Sequence, residues 1–422
     1  MMRTNGNIMV ASRRLRLFLI FVLGMTEYMP LTFQAAAVPV LYRRAGASMR
    51  DMGFLSLVMI PWALKALWAP VVDRIGAHSR FGRYRGWLFC THPLLMLTLI
   101  GGAFTDLPAL LMTSRGVGLL ALLWLSIVSA TADTASHGLA VNMLDIEERS
   151  LGSGALTVGM ATGSLIGGGL MIMLVDKLGW RIPILLMAGC VMVPLIGIAM
   201  YREPPTSPAQ TLSLREVLRW FALPRIGRWI LVLALLSLFT ALPAVPFQAL
   251  FVDHGLSLSE IGMLVGIIGA LVGIAAGILG GLAVRTLERR WSFYVLHILC
   301  GLCMAGGSFI ITRASPSHPM LYASMALLNF GVGLGTTVLR VMLMDRCRSH
   351  LASTDFTIQT CTMGLFSFLG YGVSGILASR FGVKSVLTAA PLCVFVLLIS
   401  VPRLLARSDF EQSLTKPHSP NK

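Results

Sequence analysis

Long apolar runs separated by short basic turns dominate the chain. The run 53–72, GFLSLVMIPWALKALWAPVV, carries a single charge, Lys65. At 1.5 Å per residue it makes about 30 Å of helix, the thickness of a bilayer's hydrocarbon core. Runs of the same kind predict spanning helices near 15–40, 51–72, 87–105, 109–138, 151–175, 181–201, 229–252, 259–283, 292–312, 319–343, 354–379 and 383–404. The pattern is that of an all-α membrane protein with twelve transmembrane helices. One long polar connection falls midway and divides six from six: 1–201 is a first six-helix half, 202–228 a linker, 229–405 a second half and 406–422 a tail. The REPPTSP start of the linker is expected to be extended, and LSLREVLRWFALP to lie as a short amphipathic helix on the membrane surface.

Composition narrows the class. With 56% hydrophobic and 12% charged residues, the chain is too apolar for an ordinary soluble fold. A net charge of +16 raises nucleic acid as a partner, but the arginines sit in the turns between apolar runs and not on one polar surface. They act instead as topology signals. Lys and Arg are about three times as frequent in the connections on the N-terminal side of the membrane as on the other, so both termini are expected in the cytoplasm. ASRRLRLFLIF resembles a twin-arginine signal and Gln34-Ala-Ala-Ala a cleavage site, yet eleven further apolar runs favour a retained first helix. The seven cysteines are scattered, and Cys300 and Cys303 lie in an apolar helix where thiols pack. No cofactor or metal is expected, no phosphate loop is visible, and no nucleophile and base set marks an enzyme.

Two features read as internal repeats. Gly46-x-Ser48-x-x-Asp51-x-Gly53-x-Leu55 recurs as Gly255-x-Ser257-x-x-Glu260-x-Gly262-x-Leu264, each with a capping box ahead of an apolar run. Met143-Leu-Asp145 through Ser153 is echoed by Leu343-Met-Asp345 through Ser353.

Polar side chains inside the apolar runs are the candidate chemistry, because a charge at the bilayer centre costs about 3 kcal/mol on insertion scales. These are Glu27, Lys65, Asp133, His137, His297 and Arg340. Asp133 and His137 are four apart and share one helix face, where they can take up and release protons or simply bond their helix to its neighbours. Glu27 and Arg340 have opposite signs in opposite halves; they are expected to pair or to hold opposite ends of a charged substrate. Lys65 is either a cavity cation or half of a structural ion pair. Gln34 and Gln248 sit in the same tripeptide, Phe-Gln-Ala, and suit orientation of an organic solute. Asp355 reads as a helix cap.

After the second run, Asp73-Arg74 and FGRYR resemble the loop signature G-x-x-x-D-R-x-G-[RK]-[RK] of the major facilitator superfamily. A carboxylate there can lie against the positive N-terminal end of a neighbouring helix, here the eleventh, with Arg74 and Arg83 holding it as a conformational latch. The second half has no copy of it. GFLSLVMIPWALKALWAPVVDR, ATADTASHGLAVNMLDIEERSLGSGAL, LNFGVGLGTTV and STDFTIQTC resemble the AmpG-like branch of that superfamily, which includes muropeptide permeases and single-subunit siderophore permeases of the RhtX and FptX type. Within the branch, Thr26-Glu27-Tyr28 replaces a Gly-Leu-Pro-Leu type sequence, His137 stands at a second acid, and Arg340 has no counterpart in the muropeptide permeases. These departures and the compact length point towards the siderophore permeases, the pyochelin type above all. The resemblance implies import of a ferric siderophore from periplasm to cytoplasm by one polypeptide in the inner membrane. It would be driven by protons without an ATPase subunit and act as a monomer; a permease for anhydromuropeptides is the alternative.

Overall fold

The computed structural model describes residues 12–46, 55–76, 81–203, 224–256, 260, 263–313 and 315–405. Among these, regular structure is entirely helical, and eleven helices are long and apolar enough to cross a membrane. The twelfth apolar segment, in second position, is broken into short pieces. We number the spans in chain order. α1 runs as Arg13–Thr32, a π segment Phe33–Ala37 and Val38–Arg44. α2 comprises Ser56–Met59, Ile60–Leu64, Lys65–Leu67 and Ala69–Gly76. α3 is Arg83–Phe104 and α4 is Arg115–Met143; α5 joins Arg149–Leu165, Ile166–Leu170 and Met171–Leu178; α6 is Arg181–Met200. α7 comprises Pro224–Ala241 and Ala244–Asp253, α8 Leu264–Ile268 and Gly269–Thr286, α9 Arg289–Ile311, and α10 His318–Asp345. α11 is Ala352–Phe381 and α12 Val383–Leu404.

Two expectations from sequence change. The run 109–138 is two helices: Asp106 caps a short helix Leu107–Thr113 by accepting from Ala109 N at 3.1 Å, and Ser114 leaves helical geometry before Arg115 starts α4. α7 breaks at Leu242 and Pro243, where proline has no N–H to continue the ladder. The Gln34-Ala-Ala-Ala stretch lies inside continuous α1. The amphipathic linker segment, the tail and most of the Gly-Ser-acid repeat fall outside the described residues, although Gly46 and Gly255, which open its two copies, both take positive φ, 102° and 81°.

Apolar side chains cannot drive helix association in lipid, so close backbone approach has to do it. Gly159, Gly163 and Gly167, four apart on α5, lie so close to α1 that a Cβ would sit 2.2, 2.3 and 2.1 Å from the carbonyl oxygens of Phe21, Met25 and Met29. The α5–α8 crossing repeats the device: a Cβ on Gly154 would be 2.8 Å from Gly277 O, and one on Gly281 3.1 Å from Gly154 Cα. Leu97, Leu120, Ile196, Phe309 and Ile399 are exposed on the outer surface, as lipid-facing positions must be. One apolar cluster is confined to the end of α1–α6 distal to the chain termini; the larger one runs through α7–α12 and crosses to the first six helices at the termini end.

Gly163→Val should cost about 3 kcal/mol or more through overpacking against α1, read as a lowered melting midpoint in detergent. Gly189→Ala, where a Cβ meets nothing within 4 Å, should leave the midpoint unchanged or slightly raised.

Candidate functional site

Sequence dictates the break in α2. Pro61 and Pro70 flank Lys65, and each removes an amide donor from the ladder. The backbone responds with a 3-10 segment Lys65–Leu67 bounded by Leu64 at φ −98° and Trp68 at φ −111°. This irregular turn directs Lys65 inward, where its ammonium hydrogen-bonds Asp133 Oδ2 on α4. His137 Nδ1, one turn along α4, lies 3.2 Å from the same oxygen, and its ring stacks on Phe356 of α11 at 4.5 Å. Lys65 Nζ also sits 4.7 Å from the Trp62 ring centroid, and Trp62 meets Tyr28 edge to face at 6.4 Å.

The group is dry. Glu27, Lys65, Asp133 and His137 are 1, 6, 1 and 5% exposed, so the ions must neutralise one another. Glu27 makes no ion pair, although Asp133, Lys65 and the Ser136 hydroxyl surround its carboxyl group. Asp133 Oδ1 is likewise unpartnered. Arg340 approaches from α10: it donates to Thr157 Oγ1 on α5 at 2.7 Å and neighbours Tyr28. Tyr28, Trp62 and Arg340 are only half-buried.

Asp133 and His137 share the expected face, and Lys65 joins them as an ion pair inside the first six helices, not as a free cavity cation. Glu27 and Arg340 do not pair. Successive residues on a helix point about 100° apart, so Tyr28 turns to Arg340 while Glu27 turns to α4. Gln34 is a buried amide engaged by its neighbours: its Nε2 donates to Pro30 O at 3.2 Å and its Oε1 accepts from Ser126 at 3.1 Å, tying α1 to α4 through the π segment. Gln248 lies in α7, and its side chain is outside what the structure describes. His297 is buried with Nδ1 against Phe293 O at 2.8 Å, within α9.

At the termini end, past the apolar part of α2, Asp73 closes onto the start of α11. Its Oδ2 accepts from Thr354 N at 2.8 Å and Thr354 Oγ1 at 2.5 Å; its Oδ1 accepts from Tyr84 OH at 2.5 Å and Ser353 N at 3.3 Å. First-turn amides need acceptors, and the helix dipole favours an anion there. Gly138 makes room on α4, since a Cβ would lie 2.5 Å from the Tyr84 ring. Arg83 donates to His350 O at 2.8 Å, whereas Arg74 is exposed. Asp355 is not the cap of α11: it lies in the first turn and binds Arg348 through N, Nε and a guanidinium N–H at 2.9, 2.9 and 2.7 Å.

The serine echo becomes a reciprocal pair. Ser153 of α5 donates to Thr337 O of α10 at 2.8 Å, and Ser353 of α11 donates to Thr134 O of α4 at 2.9 Å. Arg149 and Arg289 both reach Asp345 at 3.0 Å, and Asn142 donates to Ser349 O at 3.2 Å. Where Asp73 meets the start of α11, the α5–α8 crossing brings Gly154 against Gly277 and Gly281, and Gly277 against Thr157 and Val158.

This arrangement belongs to a known family. The family model for the Major Facilitator Superfamily matches residues 17–310 and 229–420. The anhydromuropeptide permease of Escherichia coli K12 is 26% identical over 363 residues, 83% of this chain and 72% of that permease. A putative transporter AmpG 4 of Rickettsia felis is 22% identical over 368 residues, 83% of this chain and 87% of the relative. In fold, the chain resembles an outward-facing bacterial homologue of the iron transporter ferroportin, with a TM-score of 0.67 at 14% identity over 93% of this chain and 99% of the other. It also resembles the fucose:proton symporter of E. coli, with a TM-score of 0.65 at 12% identity over 93% and 98%. The chain belongs to the major facilitator superfamily. It is a multi-pass secondary transporter of small molecules, not an enzyme.

Burial pushes the Asp73 carboxyl up to about 6, against hydrogen bonds from Thr354 and Tyr84 that pull it down. A carboxyl raised in the closed pairing stabilises closure fully below its exposed value near 3.8, and that contribution fades as pH rises through about 6. Spin labels replacing Asn142 and Ser349 should therefore report a larger open fraction at pH 8 than at pH 5. Asp73→Asn should flatten that dependence, and Asp73→Ala should favour the open form at both pH values.

Proposed function

We propose that this protein carries an acid-bearing solute of the anhydromuropeptide class inwards across the bacterial inner membrane, driven by the proton gradient. The single structural observation behind it is the half-buried group of Arg340, Tyr28 and Trp62 beside the dry cluster of Lys65, Asp133, His137 and Glu27. A guanidinium with an aromatic pair suits a solute that presents a carboxylate and a ring. Similarity to anhydromuropeptide permeases across most of the chain supports the same class. A proton supplies about 2.3 kcal/mol per 100 mV of membrane potential. The two six-helix halves would alternate about this group, with Asp73, Arg74 and Arg83 as the latch, both termini in the cytoplasm and the monomer as the working unit.

One observation favours a second reading, a ferric siderophore of the pyochelin type as cargo. Glu27, His137 and Arg340 stand where the resemblance to muropeptide permeases departs, and all three change the charge of the interior. A phenolate or carboxylate on an iron chelate would engage Arg340 equally well.

Uptake into proteoliposomes across a panel of anhydromuropeptides and ferric siderophores distinguishes the two. Accumulation of the anhydromuropeptide, abolished by a protonophore, is expected, and Arg340→Gln should weaken apparent affinity about tenfold or more, the worth of a charged hydrogen bond. Accumulation of an iron chelate alone would move the cargo to the second reading, and transport of neither would overturn both.

A further inference from the structure

Lys65 has one carboxylate partner and a second carboxyl close by. Asp133 holds the ammonium, whereas Glu27, buried in the same pocket, makes no ion pair and has only the Ser136 hydroxyl as a nearby donor. Such a group is tolerated inside a membrane when it carries its own proton, because an unpaired charge there is strongly disfavoured. The lysine, meanwhile, stands where the helix of α2 is interrupted. It opens the 3-10 segment Lys65–Leu67, between two prolines, and such segments serve as hinges.

We infer that Lys65 is a shared counter-ion that exchanges Asp133 for Glu27 during the transport cycle, while one proton moves the other way. In the described arrangement Glu27 is the carboxylic acid and Asp133 the carboxylate. When Lys65 swings to Glu27, the Glu27 O–H bond breaks and its carboxylate takes the ammonium. The proton forms an O–H bond on Asp133 or an N–H bond on His137, which shares the Asp133 oxygen. Charge inside the membrane is unchanged, so neither end state leaves a bare ion. The groups facing this exchange are Tyr28 on α1, Trp62 on α2, Ser136 and His137 on α4, Arg340 on α10, and Cys361 with Phe356 on α11. Tyr28 and Trp62 lie between Lys65 and Arg340, so cargo on Arg340 is positioned to bias the swap.

The inference rests on the proton-driven reading, but its first test needs no cargo. Melting midpoints of the purified full chain in detergent at pH 7 are compared for Glu27→Gln, Asp133→Asn and the double variant. Glu27→Gln keeps the Lys65–Asp133 pair and should leave the midpoint nearly unchanged, Asp133→Asn leaves Lys65 only Glu27 and should lower it by a few degrees, and the double variant should lower it by clearly more than their sum. Adding Lys65→Met to the double variant should recover most of the loss. If Asp133→Asn alone falls as far as the double variant, or fails to fold while Lys65→Met with Asp133→Asn folds, Glu27 is not an alternative partner and the exchange is overturned. The second test uses whichever panel solute is carried: Glu27→Gln should keep solute exchange while losing gradient-driven accumulation at least tenfold. Equal loss of both would indicate a structural role and overturn the proposal. Non-additive midpoints without transport of any panel solute would uphold the exchange while rejecting the cargo assignment.

Discussion

A lysine and an aspartate buried in a membrane interior cannot ignore each other. Removing two ions from water is repaid only when they meet with good geometry, and removing one of them leaves the other stranded. The Lys65–Asp133 pair therefore fixes much around it. α2 must break to bring the ammonium to α4, and Trp62 is drawn beneath it. His137 settles on the shared oxygen, and Glu27 lacks a counter-ion. Arg340 and Tyr28 form the wetter border of this dry group. The functional residues are thus ordered by a single electrostatic requirement, set within helices that glycine contacts hold at close range.

The seams between the two sets of helices are built differently on their two sides. On one, a carboxylate engages the amides that open α11, a contact that responds to charge and water. On the other, Gly154 and Gly281 allow backbone to touch backbone, a contact that responds to shape alone. The reciprocal hydrogen bonds of Ser153 and Ser353 are common to both sides, the residue of an older symmetry. The side with the glycine contact carries charge as well: Arg149, which opens α5, pairs with Asp345 of α10 at 3.0 Å, so separation there must also break that ion pair.

Much of the fold was legible because hydrocarbon thickness sets the length of apolar runs, and Asp73 was legible because an acid followed by arginine at the end of an apolar run suits the N-terminus of a neighbouring helix. The Asp133–His137 face followed from four-residue spacing. The partner of Lys65 was not legible: it lies 68 residues away, and periodicity says nothing about which helix a lone charge will meet. Gln34 was misjudged because a π segment turns it to Ser126, and Glu27 because adjacent positions on α1 face different neighbours. The breaks at Ser114 and Pro243 were lost inside apolar runs, where hydropathy stays high while the backbone turns.

Coupling between solute and proton is the claim on which the interior cluster depends. It is tested most directly by loading proteoliposomes with a pH-sensitive dye, imposing only a solute gradient and recording internal pH. Solute flowing down its gradient should carry protons with it and acidify the lumen, and the signal should vanish in Asp133→Asn. Solute entry at the normal rate with no change in internal pH would contradict a proton-carrying role for the buried Glu27 and Asp133.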